Sequence, residues 1–115
     1  MSAAQSRPVP PGRIWTLGLG FVIWCFALSL LYGIHAIGCA FAWPSATLRW
    51  TLVLVLALHC AALAWLWLRE RRNPPDAAQG AAGAFMHWAI TGTLIAALVS
   101  AVLVLGAPLL LQTCV

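Results

Sequence analysis

Apolar positions run almost unbroken along this chain, and polar punctuation divides them into three long segments. The first begins at Ile14, and no Asp, Glu, Lys or Arg interrupts it before Arg49. The second occupies the residues between Trp50 and Leu68, and the third the residues between Phe85 and Leu111. Twenty helical residues rise about 30 Å, the thickness of a bilayer's hydrocarbon core. The pattern therefore predicts an all-α membrane protein with three transmembrane helices, at about Ile14–Ile37, Trp50–Leu68 and Phe85–Leu111.

The punctuation sets the boundaries. Residues 1–12 are short, polar and proline-bearing (Pro8, Pro10, Pro11), which predicts a disordered or extended tail. Pro44 and Ser45 turn the first connection. Asn73-Pro74-Pro75-Asp76 breaks the second helix, because proline has no backbone N–H and restricts the residue before it. A flexible cytoplasmic loop is expected over 69–84, and Pro108 is expected to bend the last turn. Trp15, Trp43 and Trp50 stand where amphipathic rings prefer the headgroup level. The two arginines ahead of the first apolar run are compatible with a cleaved signal, and Ala36-Ile37-Gly38-Cys39 loosely with a lipoprotein signal. The run is too long for either, since a signal's apolar core is roughly 7–15 residues.

Composition removes the soluble classes. Of 115 residues 63% are hydrophobic and only 7% charged, with mean hydropathy +0.97, against roughly 25% charged in soluble domains. The formal charge of +4 comes from arginines flanking apolar runs, a matter of topology and lipid headgroups rather than nucleic acid. Arg7, Arg13, Arg69, Arg71 and Arg72 fall on one side and Arg49 alone on the other. The positive-inside rule thus predicts a cytoplasmic N-terminus and a periplasmic C-terminus, in a multi-pass protein of the bacterial inner membrane.

That topology sorts the candidate chemistry. Cys39 and Cys114 emerge on the same, oxidising side, where a disulfide between them would fasten the ends of the first and third spans. Two free thiols, or a thiolate pair holding copper with His35 nearby, are the alternatives. Cys25 and Cys60 lie near mid-membrane and behave as small hydrophobes. His35, His59 and His87 sit at different depths, the first two about 12 Å apart at 1.5 Å per residue, so no pair within one chain suits one haem. His59, near the bilayer centre, needs a partner such as Ser29, Tyr32, Thr93 or Ser100, or else lines a cavity or proton path.

Gly18, Cys25, Ser29, Tyr32 and Ala36 fall on one side of the first helix and predict a close-packing face. Similar rows occur at Ala57, Cys60, Ala61 and Ala64, and at Thr93, Ala97 and Ser100. Internal packing of a three-helix bundle accounts for most of this pattern. No carboxylate lies inside a span, and no nucleophile–base constellation, phosphate loop or zinc-protease motif is present. A non-enzymatic protein without a cofactor is expected.

At Trp24, Leu31-Tyr32-Gly33, His35 and Gly38-Cys39-Ala40 the chain resembles small membrane proteins encoded beside cytochrome c oxidase subunits and assembly proteins in proteobacteria. The resemblance covers the first span and its exit. It implies an accessory or assembly role beside a haem–copper oxidase and supplies no catalytic residue. His35 and Cys39 are positions of the shared pattern. Three functions are therefore ranked. The first is a non-catalytic inner-membrane accessory protein of a larger respiratory complex. The second is periplasm-facing copper or thiol redox handling through His35, Cys39 and Cys114. The third is a small homo-oligomeric transporter with a path near His59.

Overall fold

The computed structural model describes residues 6–110 and Cys114. Helix α1 spans Pro11–Ala40, α2 spans Ser45–Arg72 and α3 spans Gly80–Ser100. A π-helical stretch at Ala101–Leu105 and a last α-turn, α4, at Gly106–Leu110 continue α3. A single 3-10 turn, Ala77–Gln79, precedes α3, and no strand occurs among the described residues. Three of these rods are long and apolar enough to cross a membrane. This is a multi-pass membrane protein.

The helices overrun the apolar segments. Pro11 opens α1 because a proline at the first helical position loses no hydrogen bond. The Ala- and Gly-rich residues 80–84, expected as loop, already belong to α3. The connection therefore shrinks to 73–79. Part of the expected loose tail is tethered to it: the Arg7 N–H donates to the Ala78 carbonyl at 2.7 Å. Helix α1 ends in a Schellman motif. The Trp43 N–H reaches the Gly38 carbonyl at 2.9 Å and the Ala42 N–H that of Cys39 at 3.2 Å. Ala42 accordingly takes φ 50°, where glycine is the usual residue. Pro108, which supplies no N–H to the Val104 carbonyl four residues back, follows the π stretch by three residues. Leu111, the last residue expected in the third span, lies outside the described residues.

Two hydrophobic clusters hold the rods together. Ala27, Leu31, Leu48, Leu52, Ala101 and Leu105 form one, towards the Cys39 end. Leu63, Leu66, Ile90, Leu94 and Ala97 form the other. Leucines of α2 and α3 press into notches of α1. A Cβ on Gly38 would meet Leu48 Cδ1 at 2.5 Å, and one on Gly20 would meet Leu94 Cδ2 at 2.9 Å. Such approaches are what glycine permits between membrane helices.

The buried stripe of α1 is thus Gly20, Ala27, Leu31 and Gly38. The expected packing face lies on the opposite side. Gly18, Ser29, Tyr32 and Ala36 are exposed and Cys25 half-buried. At about 100° per residue, a shift of two positions turns a row to the far side of the helix. The expected row on α2 is divided: Ala57 and Ala61 are exposed, Cys60 and Ala64 half-buried with Cys60 against the core, while leucines are the fully buried apolar residues. On α3 only Ala97 of its expected row is buried, with Thr93 and Ser100 half-buried.

Candidate functional site

The two ends of the bundle are tied by different chemistry. At one end Glu70, in the last turn of α2, is buried to 6% exposure. Its Oε1 accepts from Arg13 Nη2 at 2.6 Å and from His87 Nδ1 at 3.0 Å. Arg13 belongs to the first turn of α1 and His87 to the second turn of α3, so one carboxylate oxygen joins all three rods. Each charge of the Arg13–Glu70 pair stands at the helix end its dipole disfavours, cation at an N-terminus and anion at a C-terminus. Direct pairing compensates both. Arg7 and Asp76, 3.6 Å apart and largely exposed, add little.

Sequence reasoning did not single out Glu70 and missed this clasp. The available signal was an acid in a closing helix turn among arginines, where the macrodipole alone gives it no reason to be.

At the opposite end Cys39 and Cys114 are joined as a disulfide, their Cα atoms 5.7 Å apart and 75 residues apart in sequence. It links the last turn of α1 to the chain beyond α4. His35, one helical turn before Cys39, places Nε2 3.9 Å from Cys39 Sγ. Bridged sulfurs carry no thiolate, so a copper site here would need the reduced pair. Among the described residues no group of three or more His, Cys, Asp or Glu side chains clusters for a metal.

Beside His35 a cleft of about 90 Å³ is walled by Leu31, Tyr32, Leu52, Val104, Leu105 and Leu109. Tyr32 and Val104 are exposed at its rim, and Leu105 is buried in the wall. The wall is thus aliphatic, with one phenol and one imidazole on the α1 side. The π-helical stretch contributes Val104 and Leu105. π-bulges concentrate at functional sites because they re-aim side chains within a continuous helix.

His59 takes none of its expected side-chain partners. Its Nδ1–H donates to the Val55 carbonyl of its own helix at 2.7 Å, and its ring lies 5.8 Å from that of Phe26. It stands in a shallow apolar groove with Val22, Ile23, Leu58 and Ala62. Ser29 and Thr93 likewise turn back onto the carbonyls of Cys25 and Ala89, at 3.0 and 2.7 Å. This local bonding satisfies a polar group where lipid offers no partner. Cys25 and Cys60 are free thiols, both half-buried.

Compared with family models, with curated proteins and with solved structures, the chain matches none.

Proposed function

We propose that this chain is a non-catalytic accessory or assembly protein of a bacterial inner membrane, packing against a larger membrane complex of the respiratory chain. One observation carries the reading. Within the small and hydroxyl-bearing row, Gly18, Ser29 and Ala36 are exposed on the side of α1 away from the chain's own bundle. Lipid gains nothing from such a row, whereas a neighbouring helix can approach its backbone closely. The two cross-ties hold α1 against its own bundle and keep that face available. The resemblance around Leu31-Tyr32-Gly33 and Gly38-Cys39-Ala40 names a terminal oxidase as the complex. The arginine distribution supports a cytoplasmic Glu70 clasp and a periplasmic disulfide.

Mild-detergent purification from native membranes tests this. A stable heteromeric partner, lost on Gly18→Leu or Ala36→Leu, is expected. Isolation of the bundle alone at every detergent concentration would sink the proposal.

A second reading is favoured by the Cys39–Cys114 pair with His35 beside it. It is thiol–disulfide exchange with a periplasmic dithiol protein. Copper binding and transport remain the weaker alternatives, the first needing reduced sulfurs and the second a polar route past His59.

A further inference from the structure

The cleft beside His35 has a composition that lipid does not explain. Its walls are aliphatic, yet its α1 side carries a phenol and an imidazole three residues apart, and a disulfide begins one turn further on. An apolar pocket with a few convergent polar groups is the signature of a small-molecule site. Two geometric facts narrow the ligand. The cleft opens between helices at exposed Tyr32 and Val104, so the molecule enters from lipid. Its polar groups line one side, so the molecule carries hydrogen-bonding oxygens on an otherwise apolar body. His35 Nε2, 3.9 Å from Cys39 Sγ, connects that ligand to a group that exchanges two electrons and two protons.

We propose that the cleft binds the ring of a membrane quinone, and that the quinone regenerates the Cys39–Cys114 disulfide. The inference rests on the thiol-exchange reading. A partner dithiol first reduces the disulfide, its own two sulfurs joining as the Cys39–Cys114 bond breaks and both thiols form. His35 then takes the proton of Cys39, and the thiolate adds to a ring carbon of the quinone. The Cys114 thiolate attacks Cys39 Sγ, the S–S bond forms, and the C–S bond breaks with its electron pair left on the ring. The two thiol protons finish on the two quinone oxygens, giving one quinol and one disulfide. Tyr32 hydrogen-bonds a quinone oxygen and orients the ring. Electrons run from dithiol to quinone, the direction that keeps a bacterial periplasm oxidising.

The test uses the full chain in lipid nanodiscs, with Cys25→Ala and Cys60→Ala so that only one thiol pair remains. The protein is reduced with dithiothreitol, freed of it anaerobically, and mixed with decylubiquinone while quinol and thiols are counted. One quinol per protein with loss of both thiols is expected, slowed at least tenfold by His35→Gln. Val104→Trp, a change at an exposed position, should raise the half-saturating quinone concentration severalfold. Thiols that survive quinone but are oxidised by diamide would overturn the quinone step while leaving the thiol-exchange reading standing. A disulfide that dithiothreitol cannot reduce in the folded protein would overturn both. Equal rates in parent, His35→Gln and Val104→Trp would overturn the assignment of the cleft.

Discussion

Leu48 of α2 sits over Gly38 of α1 so closely that a Cβ on Gly38 would meet its Cδ1 at 2.5 Å. This contact closes the bundle just inside the disulfide, and Leu48 itself is fully buried. Gly38→Val should therefore force the two helices apart, at about 1–3 kcal/mol for overpacking a tight site. Gly33→Ala, with nothing within 4 Å of the added Cβ, should be neutral or slightly stabilising. Thermal unfolding in one detergent compares the two. Equal melting temperatures would deny the close approach.

The Glu70 clasp predicts a different pattern. Glu70→Gln removes the charge that two donors share and leaves Arg13, one-fifth exposed, without an anion. A loss on the order of 2 kcal/mol is expected, the scale of hydrogen bonds to charged groups. Adding Arg13→Gln to Glu70→Gln should recover part of it, because no unpaired cation remains. Additive losses in a double-mutant cycle would show that the two side chains do not interact.

The disulfide closes a long loop, so Cys114→Ser should lower stability by about 2–4 kcal/mol. A change in mobility on non-reducing gels should accompany it. Unaltered mobility in the variant and its parent would deny the bridge.

Ala42→Gly tests the Schellman turn. With φ at 50°, alanine holds a conformation that favours glycine, and the exchange should stabilise by up to about 1 kcal/mol. A drop in melting temperature would contradict this geometry.

How far the sequence disclosed these features depends on which physical signal each one leaves. Span number follows from charge-free length, which bilayer thickness makes decisive. That Cys39 and Cys114 emerge at the same end follows from counting crossings, since the first and third spans run in the same direction. That they are bonded was one of three alternatives the sequence left open, and the 5.7 Å Cα separation decides it. The inward face of α1 left no comparable mark. Its residues are apolar all round, so hydrophobic periodicity cannot say which stripe is buried. The small-residue rule then fits two rows equally well, Gly18 to Ala36 and Gly20 to Gly38. Only the leucines that α2 and α3 present at Leu48 and Leu94 choose between them, and that is a tertiary fact. The Glu70 clasp was hidden for another reason. Arg13, Glu70 and His87 are distant in sequence and meet because α2 returns antiparallel to α1, with α3 starting beside its end.

The same choice of face bears directly on the proposed function, in which the row left outside is the one offered to a partner. A photo-reactive benzophenone residue at position 29, in the middle of that row, compared with one at lipid-exposed Leu54 of α2, measures it in native membranes. The account predicts a discrete adduct with a different polypeptide from position 29 and lipid adducts alone from position 54. Lipid adducts from both positions, or an adduct of the chain with a second copy of itself, would contradict it.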